Sequence, residues 1–131
     1  MSAVKLKDFH LKYIRSGFEI GPNFNLTINK GDFLGIVGES GCGKSVTAAT
    51  IMQLLPTLSR IEEGEIIFNK DGRKINIEKL EKNGRDMRAI RGADISMIFQ
   101  DPMTALNPVY TIGFQISENL KYHTNLNKKQ I

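Results

Sequence analysis

Residues 38–45 read Gly38-Glu39-Ser40-Gly41-Cys42-Gly43-Lys44-Ser45, a complete G-x-x-x-x-G-K-S pattern. The apolar run Phe33-Leu34-Gly35-Ile36-Val37 precedes it, and a helical pattern begins at Lys44. Strand, then loop, then helix is the context a phosphate-binding loop needs. The glycines let the backbone bend around phosphates with N–H groups turned inward, at φ values that a Cβ penalises. The helix adds its unpaired first-turn N–H groups and the positive end of its dipole. Lys44 is then placed to reach the β- and γ-phosphates, and the Ser45 hydroxyl to ligate Mg²⁺. This chemistry predicts a nucleoside triphosphate; the plainer alternative is a glycine-rich turn beside a solvated lysine.

The flanking patterns predict the elements that carry the loop. Val4 and Leu6 alternate with Lys5 and Lys7, and the apolar parity then shifts to Phe9, Leu11 and Tyr13. That shift predicts a strand bulged near Asp8. Phe24, Leu26 and Ile28 predict a strand with one buried face, closed by the turn Asn29-Lys30-Gly31-Asp32. Phe33 to Val37 is apolar without alternation, as a strand covered on both faces should be. Past the loop, Ala48, Ile51, Met52 and Leu55 fall on one helical face before Pro56. Glu65 to Phe68, an Asp71-Gly72 turn and Ile75 to Ile77 predict a small hairpin. A short helix around Asp86 to Arg91 follows, then a second buried-strand pattern, Ile95 to Phe99, which Gln100-Asp101-Pro102 ends. Ile112, Ile116 and Leu120 mark a later helix, and Asn127-Lys128-Lys129-Gln130 reads as a capping box opening another. A helix announced one residue before Ile131 predicts the front part of a longer domain.

Composition narrows the partners. The 131 residues carry 18 Lys and Arg against 14 Asp and Glu, a formal net charge of +4. The charges are scattered, which favours a solvated surface over nucleic-acid binding. No run is long enough for a membrane span and no secretory signal is evident. A single cysteine excludes an internal disulfide framework and fits a reducing compartment. His10 and His123 read as isolated surface or core histidines, so neither metal clusters nor nucleophile triads are supported.

Two blocks then carry a resemblance. Leu34 to Val46 is similar to the Walker A region of ABC transporter ATPases, and Ile95 to Pro108 is similar to their Q-loop region. Phe99-Gln100-Asp101-Pro102-Met103-Thr104-Ala105-Leu106-Asn107-Pro108 resembles, more narrowly, the oligopeptide/dipeptide/nickel importer subfamily. The spacing of 56 positions from Lys44 to Gln100 suits that family. The resemblance implies an α/β fold, an incomplete P-loop NTPase (RecA-like) core with an N-terminal antiparallel β subdomain. Residues 1 to about 100 would hold the β subdomain and Walker A core. Residues from about 100 to 131 would hold the Q-loop and the start of a helical subdomain.

The implied roles follow residue by residue. Gly38, Glu39, Ser40, Gly41, Cys42, Gly43, Lys44, Ser45 and Val46 would hold ATP, and Ser45 and Gln100 would serve Mg²⁺. Tyr13 falls at the A-loop aromatic that stacks on adenine, with Phe18 as a competing candidate. Gln100 would report γ-phosphate occupancy, and the segment after it, including Met103, Leu106 and Val109, would approach the transmembrane permease subunits. A second ATP-binding subunit would complete each site, at the cytoplasmic face of the cell membrane. Cys42 stands where Ser is frequent and Val46 where Thr is frequent; both positions contact ligand through main-chain N–H groups.

The family's signature motif, Walker B strand, catalytic Glu and switch His are not found among the 131 residues. The chain alone is therefore expected to bind ATP without turning it over appreciably, because nothing in it orients water. The alternatives are a stand-alone, non-catalytic nucleotide-binding module and a nickel or metal-complex importer ATPase. A P-loop kinase or GTPase is disfavoured because the Gln100 block has no place in one.

Overall fold

The computed structural model describes residues 1–101 and 105–131. Pro102, Met103 and Thr104, including the proline and the methionine singled out above, lie outside the described residues. The chain divides into two compact units, Met1–Lys82 and Asn83–Ile131.

The first unit is built on a four-stranded antiparallel sheet in the order β2-β1-β3-β4. Its strands are β1 (Ser2–Tyr13), β2 (Glu19–Asn29), β3 (Ser59–Lys70) and β4 (Arg73–Asn76). The shifted apolar parity of β1 is realised as a bulge. Asp8 takes φ 48°, and the pairing of β1 shifts register between Leu6 and Phe9 against β2 and between Lys7 and His10 against β3. Asn25 Oδ1 accepts from the Asp8 amide at 3.0 Å and so occupies a donor that the bulge takes out of the ladder. Because the bulge inverts the parity, Leu6, Phe9 and Leu11 all point into one core and are fully buried with Ile66 and Ile77.

Gly64 is the counterpart of that bulge. It sits at φ 98°, and a Cβ there would lie 2.6 Å from Asp8 O and from Phe9 Cα. Only glycine fits both the angle and the approach. The hairpin at Asp71-Gly72 forms as the sequence predicts, with φ of 49° and 82° and Lys70 paired to Arg73, the two positive angles of a type I′ turn. β3 is longer than the predicted hairpin arm, because Ser59–Glu63 also pairs with β1. The turn after β2 closes as expected, Asp32 Oδ2 accepting from Asn29 N at 2.7 Å.

Helix α1 (Lys44–Ile51) begins at the predicted place but ends earlier than Pro56. Gln53 adopts φ 50°, which the α-helix does not tolerate, and its side-chain amide donates to the carbonyls of Ile77 and Leu80. The buried positions of α1 are Thr47 and Thr50 rather than Ala48 and Ile51. Each threonine hydroxyl donates to the carbonyl four residues back, Gly43 at 2.9 Å and Val46 at 2.7 Å. That internal bond removes the cost of burying a hydroxyl and so lets a polar pair occupy the inner face.

The run Phe33–Val37 does not form the strand its composition predicts. It pairs with no described strand, and Val37 is 92% exposed. A period-free apolar run indicates what a segment would bury, whereas a strand exists only when a neighbour accepts its N–H groups and donates to its carbonyls. The sheet described for this unit ends at β2 on one side and β4 on the other.

In the second unit, α2 (Arg85–Ile90) and α3 (Ile112–His123) form where predicted. Thr111 caps α3, its hydroxyl accepting from Phe114 N at 3.2 Å. Ile112, Ile116 and Leu120 are nevertheless exposed. Ile95–Phe99 corrects the second buried-strand expectation for the same reason as Phe33–Val37. Only an isolated bridge from Arg91 to Ile95 forms, and Ile98 is 99% exposed. The capping box at Asn127 is present in full. Asn127 Oδ1 accepts from Gln130 N at 3.1 Å, and Gln130 Oε1 accepts from Asn127 N at 2.9 Å.

Candidate functional site

The loop from Gly38 to Cys42 is wholly exposed and leads into α1 through Gly43, which is buried. Two positive φ values shape it, 82° at Gly41 and 101° at Gly43. The Cys42 amide donates to Glu39 O at 3.3 Å and closes the turn. The amides of Lys44, Ser45 and Val46 at the start of α1 have no acceptor among the described residues. They are the orphan donors of a helix N-terminus and point the same way as its dipole.

Lys44 completes the arrangement. Its Nζ donates to Gly38 O at 2.8 Å and Glu39 O at 2.6 Å, and lies 3.6 Å from Cys42 Sγ. The ammonium is thus held over the loop by the loop's own carbonyls, beside unpaired amides. Cys42 Sγ lies where a Cβ on Gly38 would stand, at 2.6 Å, so a glycine at 38 is what admits the thiol. Ser45 is exposed, and its hydroxyl bonds to no described residue.

The floor of the loop comes from the start of β2 and the residue before it. A Cβ on Gly43 would meet Ile20 Cδ1 at 2.9 Å and the Phe18 ring at 3.3 Å. Phe18 in turn meets Tyr13 edge-on, with ring centroids 6.0 Å apart and planes at 69°. Tyr13 and Phe18, the two competing aromatics, are therefore one pair, and Phe18 is the member that touches the loop. Ile20 was not singled out from the sequence. Its alternation with Phe18 was the available signal, but nothing local shows that the two meet a glycine more than 20 positions later.

Gln100 belongs to the second unit, is exposed, and lines a shallow recess with Phe99, Asp101 and Ala105. Among the described residues, no group of three His, Cys, Asp or Glu side chains could hold a metal by itself. No described helix is long and apolar enough to cross a membrane.

The model of the family described as "ABC transporter" matches residues 22–130, which include the loop, α1 and Gln100. The chain belongs to the ABC transporter family. Like other members it is similar to named transport proteins. It is 46% identical over 96% of its length to the dipeptide transport ATP-binding protein DppD of Bacillus subtilis. It is 49% identical over 84% to a probable peptide ABC transporter ATP-binding protein, y4tR, of Sinorhizobium fredii. It is 43% identical over 82% to the glutathione import ATP-binding protein GsiA of Escherichia coli. The ABC transporter chain described here spans 37%, 31% and 17% of those three proteins.

Proposed function

We propose that this chain is part of the ATP-binding subunit of an importer for oligopeptides or dipeptides, and that residues 38–46 hold ATP. The observation that carries the reading is the Lys44 ammonium poised over an exposed glycine loop, beside amides that no described protein group occupies. Phosphate oxygens are better acceptors for that ammonium than neutral carbonyls, so a nucleotide would draw Lys44 off Gly38 and Glu39. The same oxygens would take the free N–H groups of Lys44, Ser45 and Val46.

Mg²⁺ fits the free Ser45 hydroxyl. Mg²⁺ retains waters and phosphate oxygens as ligands and needs few from the protein, which accords with the absence of a protein-only metal cluster among the described residues. The metal supplies charge neutralisation at the phosphates. Gln100 is the proposed second contact to it, from resemblance. Tyr13, backed by Phe18, is the proposed platform for adenine.

The names of the relatives, dipeptide, peptide and glutathione transport, support peptide cargo over the nickel alternative. In this reading the fold is an incomplete RecA-like core behind the β sheet. The segment after Gln100 meets transmembrane permease subunits, a second ATP-binding subunit closes on the first, and the assembly works on the cytoplasmic side of a membrane. Binding and hydrolysis would then shift the permease between states of different access. The 131 residues alone bind ATP with little turnover, because they contain no group that orients water.

The test is nucleotide titration of the chain against Lys44→Ala, with phosphate release followed in parallel. Binding by the wild type, weakened about tenfold or more in the variant and without turnover in either, is the expected result. Equal affinity in both overturns the site, and clear wild-type turnover overturns the account of its activity.

A further inference from the structure

The second unit holds a concavity unlike any expected from the sequence. It is a cleft of about 660 Å³ between α2 and α3, lined by Arg85, Arg88, Arg91, Glu118, Tyr122 and His123. Arg85 and Arg88 lie one turn apart on α2, and neither guanidinium is hydrogen-bonded or ion-paired to a described residue. Arg91 follows at the C-cap of α2, where burial lowers its pKa from the usual guanidinium range. Glu118 is the one carboxylate among the lining residues, against the two exposed arginines Arg85 and Arg88.

His123 lines the cleft and packs against the backbone. Gly92, at φ 84°, approaches its ring so closely that a Cβ would fall 2.6 Å from Nε2. Tyr122 gives the cleft an aromatic wall, and the Lys121 ammonium, 5.8 Å from that ring's centroid, adds a further positive charge nearby.

We propose that this cleft is a second anion site, taking a phosphate-bearing small molecule whose phosphate is held by Arg85 and Arg88. Guanidiniums bind phosphate oxygens two at a time, and a phosphate offers enough oxygens and charge to satisfy more than one of them. The like charges of Arg85 and Arg88 on one concave surface raise the local concentration of such an anion. The volume is that of a small-molecule pocket. The arginines repeat at every third position, Arg85-x-x-Arg88-x-x-Arg91, a local signal that a scattered overall charge obscures.

This site does not depend on the proposed nucleotide loop, which lies in the other compact unit. The experiment is calorimetric titration of the full chain with inorganic pyrophosphate in a Lys44→Ala background, which silences the loop's lysine. A binding event that persists in Lys44→Ala is expected. It should weaken about tenfold or more when Arg85→Ala and Arg88→Ala are added, and stay unchanged when Lys128→Ala and Lys129→Ala are added instead. The two pairs remove equal charge from exposed positions, so folding and bulk electrostatics are matched. No binding in Lys44→Ala, no effect of the arginine pair, or an equal loss from the lysine pair each overturns the proposal. Failure of the nucleotide site would show instead as wild-type ATP affinity indifferent to Lys44, with the arginine-dependent signal intact.

Discussion

At the scale of the residue, glycines with similar backbone angles are predicted to differ widely in what a methyl group costs. Gly31, Gly43 and Gly64 sit at φ of 89°, 101° and 98°. An added Cβ at 31 meets nothing within 4 Å, at 43 it meets the flexible end of Ile20, and at 64 it meets backbone atoms of Lys7, Asp8 and Phe9. Gly31→Ala should therefore cost about 1–2 kcal/mol, the price of a left-handed L-residue alone. Gly43→Ala should cost slightly more, since Ile20 can turn aside. Gly64→Ala should cost about 4 kcal/mol or more, because backbone cannot move without breaking the β1–β3 ladder. Urea denaturation of the three variants checks the order; a Gly64 variant as stable as the Gly31 variant would refute the close approach. None of the three costs could be ranked from sequence. Gly31 and Gly43 lie in a turn and a loop that the sequence predicts, whereas Gly64 carries no such reading, and what surrounds each depends on chain segments far away.

Among elements, the sheet was legible and the covering of the helices was not. β1 was readable down to its bulge, because alternation and its interruption are properties of neighbouring residues. The hairpin at Asp71-Gly72 and the cap at Asn127 were readable for the same reason. The inner face of α1 was not, because Thr47 and Thr50 look polar until their hydroxyls are turned onto the backbone. Two apolar residues on different elements make the contrast measurable. Leu6 is 0% exposed and Ile116 is 61% exposed. Leu6→Ala should cost about 2–5 kcal/mol by leaving a cavity, whereas Ile116→Ala should stay within about 0.5 kcal/mol. Thermal melts of both decide it, and comparable losses would mean that α3 is covered in solution.

The pairing of β1 with β2 also carries a pH signature. Lys12 donates to Glu19 at 2.8 Å, and His10 lies 3.3 Å from the same carboxylate. The hydrogen bond from Lys12, then that from His10, holds the Glu19 carboxyl below its ordinary value of 4.5, and Glu19 raises Lys12 above 10.5. A depressed carboxylate stabilises the fold above its ordinary pKa and loses that contribution as pH falls through the lowered value. A raised lysine stabilises below 10.5 and loses it as pH climbs beyond. The pair therefore contributes in the window between those values, modestly, because both groups are exposed and salt screens them. The stability difference between wild type and Glu19→Gln should be greatest near neutral pH, fade in acid and shrink with added salt. A difference that persists unchanged in acid would assign the effect to something other than this charge.

For the molecule as a whole, the feature with the largest consequence is what the apolar runs expose. Phe33 and Val37 in one unit and Ile98 and Phe99 in the other present large side chains and unpaired backbone to solvent. Their composition predicts buried strands, and that expectation failed because a strand requires a partner that composition cannot supply. The loop at 38–45 is a pattern of eight consecutive residues and can be read locally, whereas its contacts with Phe18 and Ile20 cannot. Exposed apolar segments with free N–H and C=O groups favour pairing with further chain, so the 131-residue chain is predicted to self-associate. Sedimentation velocity across a hundredfold dilution should show larger species dissociating, and the melting temperature should rise with concentration. Phe33→Asp combined with Ile98→Asp places a charge in each run and should shift both readouts toward the monomer. The two substitutions touch neither the Lys44 cradle nor the core around Leu6, so nucleotide affinity should remain. A dilute monomer with a sharp, concentration-independent melt, unchanged by the paired substitution, would show that these runs are already satisfied in solution.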